Sequence, residues 1–585
     1  MKILRVVAVL FAFHTSLRAA DPAFDTWADA FAADWMRTDP EAATAKQYFT
    51  GAEQDALDRQ LSPLTREFQT SRVAAAKKGL AELARFDRAK LDAAQKASAD
   101  FIRWSLGDVV QGDAFRDYSF VFDQFNGLHV DLVDFLTQTH PIRHARDIDN
   151  YLARLALVAT RIDEGVARAK DAATRGILMP RFIYTSTLGQ FDRFLASPPR
   201  QNELVVSLDE RAAALPAISA ADRAKAVAAA EKIVTDAILP AYRRAQAMLR
   251  EQQTRSTDDA GLWRLPGGDR AYAFFLHHMT TTDFTPEQVH ALGLKEVARI
   301  TAEMETILRQ LGFTQGSFNE RVEKVQASMQ PPATPDPRPA LVARYEGYLR
   351  DAEKRAALIF DLRPVAPIVV KREPTLTEVT AAAHYQTPAK DGSRPGIFWA
   401  PVPGPTYDVL TMRTTAYHEG IPGHHFQLAL QQEETSLPRF RRDGAFGFIN
   451  AHGEGWALYA ERLAAENGWY EGDLQGHLGQ LSDELFRARR LVADTGLHAK
   501  HWTRQQAIDY GLPASEIERY IVWPGQACSY KIGQLKILEL RARAQAKLGA
   551  KFSLKQFHNV ILRAGNLPLA VLEQLIDDYI QSAGK

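Results

Sequence analysis

Apolar residues recur every three to four positions along most of the chain, the period of a helix with one buried face. Tyr151, Leu152, Leu155, Val158, Ile162 and Val166 form one such stripe and predict a helix from Asp147 to Arg175, stopped near Gly176. Similar spacing predicts helices from Asp87 to Val110 and from Ala221 to Arg250, the latter interrupted at Pro240. Thr285-Pro286-Glu287 supplies a capping hydroxyl and a proline at the first helical position. A further helix follows from Ala340 to Ile359. His140-Pro141 and His144 read as a turn or cap at a helix start. The pattern shifts between Pro364 and Tyr407. Ile368-Val369-Val370 and Ile397-Phe398-Trp399 are short β-like runs flanked by Pro and Gly, and predict a small sheet whose exposed edge can pair with an extended peptide.

Composition adds class and compartment. A chain of 585 residues can bury one large core or two. Lys+Arg and Asp+Glu are equal at 71 each, which argues against nucleic acid or an anionic membrane as the main partner. Lys2 and Arg5, the apolar run Val6 to Phe13 and the small residues Ala19 and Ala20 predict an export signal over residues 1–20, too short to span a bilayer. The only cysteine, Cys528, is far from that run, so the expectation is a non-lipidated periplasmic or secreted protein without disulfides and without stable membrane insertion. A turn cluster at Leu265-Pro266-Gly267-Gly268 divides an N-terminal helical region, 21–260, from a catalytic region, 261–585, the two reading as one continuous helical domain.

The candidate chemistry is concentrated in His418-Glu419-Gly420-Ile421-Pro422-Gly423-His424-His425. Imidazoles with a carboxylate suit zinc, and a glutamate beside the first ligand can take a proton from the metal's water. In the usual His-Glu-x-x-His helix the ligands sit at i and i+4. Here the later histidines fall at i+6 and i+7, about 120° round the helix or roughly 10 Å along it, too far to share an ion. Pro422 would clash with the His418 carbonyl in a continuous helix. A bulge of two extra residues over Gly420 to Gly423 would return His424 to the ligand position, with His425 as the alternative.

Three downstream groups add to this. Glu454, in Glu454-Gly455-Trp456-Ala457-Leu458-Tyr459-Ala460-Glu461, is the expected third ligand. Glu461, two turns on, reads as a surface carboxylate paired with Arg462. Arg490, Asp494 and His498 recur at i, i+4 and i+8, a row that can orient a ligand or donate to an oxyanion, or that can be a plain helix salt bridge. Tyr530 can donate to an oxyanion, and Lys531 or Arg490 can meet a substrate carboxylate.

With the blocks Glu454-Gly455-Trp456-Ala457-x-Tyr459, Asp494-Thr495-Gly496-x-His498 and Tyr530-Lys531-x-Gly533-Gln534, the chain from about Asp21 onward resembles a bacterial exported domain-of-unknown-function family carrying His-Glu-x-x-Pro-Gly-His-His. That family is distantly similar to the helical gluzincin peptidases, such as thimet oligopeptidase, carboxypeptidase Taq and angiotensin-converting enzyme. The resemblance implies a mainly α, zincin-like fold with a deep central cleft, and zinc held by two histidines and a glutamate. The expected function is an exported zinc metallopeptidase on short peptides, dipeptidase or carboxypeptidase-like. In this scheme Glu419 is the base, Tyr530 or His498 stabilises the oxyanion, His418, His424 and Glu454 hold zinc, and His425, Asp494, Arg490 and Lys531 lie around them. A zinc esterase, another amide hydrolase or an inactive binding protein on the same scaffold are the alternatives.

Overall fold

The computed structural model describes residues 20–332, 334–374, 378, 381–390, 392 and 394–584. The expected leader lies outside these residues except for Ala20. The chain is mainly α-helical with one small sheet, as its periodicity predicts. Among the described residues no helix is long and apolar enough to cross a membrane.

The elements that position the site are α1 (Ala145–Thr174), α2 (Pro286–Gln310), α3 (Met412–Glu419), α4 (His424–Glu433), α5 (Asn450–Glu466), α6 (Leu474–Ala499) and α7 (Gln526–Leu548). The apolar stripe of α1 is buried at Tyr151, Leu155, Val158 and Ile162. It packs in one core with Leu497, Ile517 and Tyr520 from near the other end of the chain. Thr285 caps α2, with Gln288 completing a capping box. Two expectations shift. The helix expected from Asp87 begins at Ala93, because Asp92 accepts from the Gln95 backbone and Gln95 answers the Asp92 N–H, fixing the start there. The interruption expected at Pro240 is a single π turn, Val234–Ile238, which leads directly into the helix Leu239–Thr254 and places Pro240 in its first turn, where no N–H is needed.

The sheet has the strands β1 (Ile368–Arg372), β2 (His384–Gln386) and β3 (Gly396–Ala400), in the order β1-β3-β2. β1 runs parallel to β3, with Ile368 opposite Gly396, and β2 runs antiparallel, with Tyr385 opposite Phe398. The two β-like runs of the sequence are therefore β1 and β3. β2, with only three residues and no apolar run, gave no such signal.

Close packing of α5 on α7 sets the back of the site. A Cβ on Gly533 would lie 1.8 Å from the Ala451 carbonyl oxygen, and one on Gly455 would lie 2.5 Å from the Gly533 Cα. Only glycine at these positions lets the two backbones meet. A buried ion network then ties α2, α6 and α7 together. Lys531 Nζ lies 2.6 Å from Glu484, 2.7 Å from Gln534 and 3.0 Å from Glu296. Arg299 bridges the same two glutamates. Burial would raise the Glu484 carboxyl, but Lys531 and Arg299 bring it down to about 2.

Candidate metal centre

The His-Glu motif closes α3, and the helix stops there rather than bulging as expected. Gly420 to Gly423 form a turn, and His424 opens α4 as a separate helix. The turn is tight enough to require glycine. A Cβ on Gly423 would sit 1.9 Å from the His418 carbonyl oxygen, and the Gly423 N–H donates to the Tyr417 carbonyl instead. Trp456 on α5 donates its indole N–H to the Pro422 carbonyl at 3.0 Å. The helix that carries Glu454 therefore pins the turn that delivers His424.

The result is a cluster in which His418, His424 and Glu454 each offer one ligand atom, all within 4.8 Å of one another. Glu454 Oε2 is 3.5 Å from His418 Nε2 and 3.4 Å from His424 Nε2. The other ring nitrogen of His418 lies 2.7 Å from Glu461 Oε1, and Thr414 donates to Glu461 Oε2 at 2.9 Å. Glu461 is fully buried, which corrects its reading as a surface partner of Arg462. A carboxylate behind a ligating imidazole fixes the ring's tautomer and orientation. Thr414, one turn before His418, was also missed; its i−4 spacing is the only sequence signal that could have found it.

The electrostatics favour a positive charge at this point. Burial works against charging His418, yet Glu454 and Glu461 together raise its imidazole well above the ordinary value. Burial would raise Glu454, but the two imidazoles bring it well below the usual carboxylate range. Burial, with Asp483 nearby, lifts Glu461 to about 7. Glu419 is buried beside the cluster and raised chiefly by that burial. Two imidazoles and a carboxylate are a donor set that can hold a metal ion.

The cluster lines a cleft of about 610 Å³. One part of its lining, here the floor, carries Thr415, His418, Glu419, His424 and Glu454; another, the wall, carries Asp483, Arg487, Arg490, Glu516, Arg519 and Tyr530. His384 and Tyr385 of β2 reach the same cleft. Arg487, Arg519, Glu516 and His384 were not singled out in the sequence. Arg487 could have been, since it lies one turn before Arg490.

The remaining expected residues divide. Tyr530 and Arg490 are on the cleft wall. His425 is not in the cluster: its Nδ1 lies 2.9 Å from the Tyr385 hydroxyl, and burial pushes the imidazole down to about 4. His498 is away from the cleft. Its Nδ1 accepts from the Leu262 N–H, its Nε2 lies 3.0 Å from the Tyr520 carbonyl, and its ring stacks on Tyr272. Asp494 accepts from the Tyr272 hydroxyl at 2.6 Å and from the Gly525 N–H, so it anchors the start of α7. Lys531 is buried in the ion network described above and cannot meet a substrate. The row Arg490, Asp494, His498 shares a helix face, but only its first member reaches the cleft, because the others are covered by the residues 262–272 and 520–525 that they bond.

No curated protein matches the chain. Solved structures that match along nearly its whole length include two of bacterial origin. One, from Colwellia psychrerythraea and described as a putative lipoprotein, is 28% identical, with 96% of this chain and 99% of that one covered and a TM-score of 0.88. The other, a lipoprotein of unknown function from Shewanella oneidensis by the same kind of description, is 20% identical, with 95% and 100% covered and a TM-score of 0.71, and shares the fold. These neighbours correct the expectation of a non-lipidated periplasmic or secreted protein, since both are described as lipoproteins. The family match runs over residues 40–576, and the chain belongs to the bacterial proteins of unknown function grouped as DUF885.

Proposed function

We propose that the protein is a zinc-dependent metallopeptidase acting on short peptides, of the helical gluzincin kind. The spacing of the cluster carries this reading. A tetrahedral ion with bonds of about 2.0–2.2 Å sets its ligand atoms roughly 3.3–3.6 Å apart. The carboxylate oxygen of Glu454 stands 3.5 Å and 3.4 Å from the two imidazole nitrogens. His418, His424 and Glu454 would hold the ion, and Glu461 would hold His418 in the correct tautomer. A zinc ion bound there supplies a Lewis acid that acidifies water and polarises a carbonyl.

The chain's own groups supply the rest. Glu419, next to His418 on the cleft floor, takes a proton from water and returns it to the departing amine. The Tyr530 hydroxyl, which also lines the cleft, donates to the oxyanion of the tetrahedral intermediate. β2 is an edge strand of the sheet and its His384 and Tyr385 line the cleft, and an extended peptide can pair with a strand edge.

The test is Glu419→Gln. Hydrolysis of a mixed short-peptide library, read by mass spectrometry, should fall about 10²- to 10⁴-fold. Zinc measured by elemental analysis should stay at one per chain. Undiminished hydrolysis in this variant would remove the mechanism, and a wild-type protein insensitive to chelator would remove the metal.

A further inference from the structure

Arg490 is a buried cation with an unfilled coordination. The residue is 2% exposed and lines the cleft. A guanidinium has five N–H donors in a planar fork. Among the described residues, one of them finds an acceptor, the Gln526 amide oxygen at 3.2 Å, and the Nε–H has none. Aromatic faces surround the group instead: Tyr530 at 4.3 Å, Tyr520 at 5.3 Å and Phe486 at 5.6 Å from the guanidinium carbon. Such faces favour a cation but accept no second pair of hydrogen bonds.

Its neighbours differ. Arg487 is paired with Asp483, and Arg519 with Glu516. Arg490 has no carboxylate within ion-pair distance among the described residues; Glu516, which pairs with Arg519, acts on it only from farther off, although buried charges are ordinarily paired directly. A planar carboxylate from a ligand fits what is missing, because it accepts two parallel N–H bonds from one guanidinium. The cleft volume of about 610 Å³ falls within the range that encloses a small ligand. In a short peptide held there the terminal carboxylate is close to the scissile bond. Asp483 and Glu516 flank Arg490 on the same wall, and their charges disfavour a second carboxylate on the ligand.

We infer that Arg490 receives the C-terminal carboxylate of the peptide, so that cleavage is counted from the C-terminus. This rests on the hydrolase reading above. Arg490 here is a binding residue, and the bond-breaking groups remain those of the floor.

The experiment uses one library of three- to five-residue peptides in two forms, free acid and C-terminal amide. Wild-type protein should consume the free acids about 10- to 100-fold faster, the worth of a charge-assisted hydrogen-bonded pair. Arg490→Gln should erase that preference, acting on KM more than on kcat. Arg490→Lys, which keeps the charge without the fork, should restore part of it. Equal consumption of both forms by the wild type overturns the inference while leaving the hydrolase intact, and needs no variant to fold. A preference that survives Arg490→Gln also overturns it. If neither form is cleaved, the hydrolase reading has failed, and retention of the two pools on Glu419→Gln protein by affinity selection decides the carboxylate site alone. Selective retention of free acids supports it, and equal retention removes it.

Discussion

At the scale of single residues the candidate centre includes Glu461, which backs His418, as well as the three side chains that could ligate an ion. Glu461 touches His418 and not the cleft, so its loss should leave the floor's shape intact while releasing the imidazole. Glu461→Gln should weaken zinc binding about 10- to 100-fold in a competition with a chelating dye. The two adjacent histidines separate cleanly. His424→Ala should abolish stoichiometric zinc, and His425→Ala should retain it, because His425 faces Tyr385 of the sheet. His418, Glu419 and Glu454 were legible because their chemistry is carried by residue type and order. The choice between His424 and His425 was not, because a turn of two or three residues delivers either, and the close approach of Gly423 to the His418 carbonyl decides it. Glu461 was misread for a related reason: helical spacing places it on the face of Glu454 but does not say that the face is covered.

At the scale of elements, contact between helices sets where the ligands stand. Gly533→Ala would press a methyl group into the Ala451 carbonyl. It should destabilise the protein by about 1–3 kcal/mol in urea unfolding, and it should lower zinc affinity by displacing α5, which carries Glu454. Lys531→Ala should cost about 1.5–3 kcal/mol by removing the charge-assisted bonds of its ammonium while Arg299 still pairs Glu484 and Glu296, with zinc still bound at temperatures where the variant is folded. The stripe of α1 could be read almost to the residue, and the cap of α2 gave its start. The strand β2 could not, because its three residues are held by pairing with β3 and by no pattern of their own. Lys531 was also opaque: a lysine beside a tyrosine in a sequence block gives no hint that three helices converge on it.

For the whole molecule the mainly helical architecture follows from the periodicity, and the shared core of α1 with residues near 497–520 follows from nothing local. That core and its neighbours enclose histidines in neutral form. Burial pushes His129 and His498 down to about 4 and His140 and His558 to about 3. Their folded values lie below the unfolded one, so between about pH 6.5 and 4 the unfolded chain binds more protons. Their contribution is whole above pH 6.5 and is lost as the pH falls, by about 1.4 kcal/mol per unit for each. His425 and His452, pushed down by burial to about 4, act in the same sense, so six imidazoles face four carboxyls that act in the opposite one: Asp123, raised by burial to about 6, and Asp131, Glu461 and Asp494, raised chiefly by burial to about 7. Urea midpoints should therefore decline from pH 7 to pH 4.5; a flat or rising profile would show that these imidazoles are not held neutral.

The two sides of the cleft come from different stretches of chain. The side with the His418, His424 and Glu454 cluster is assembled from residues 414–461, and the side with Arg487, Arg490, Arg519 and Tyr530 from 483–530, with different helices supplying each. Substitutions on the second stretch can change which substrate is accepted without disturbing how the ion is held. On the proposed reading, variation among relatives would gather at positions such as 487, 490 and 519, retuning what enters the cleft while its floor stays as it is.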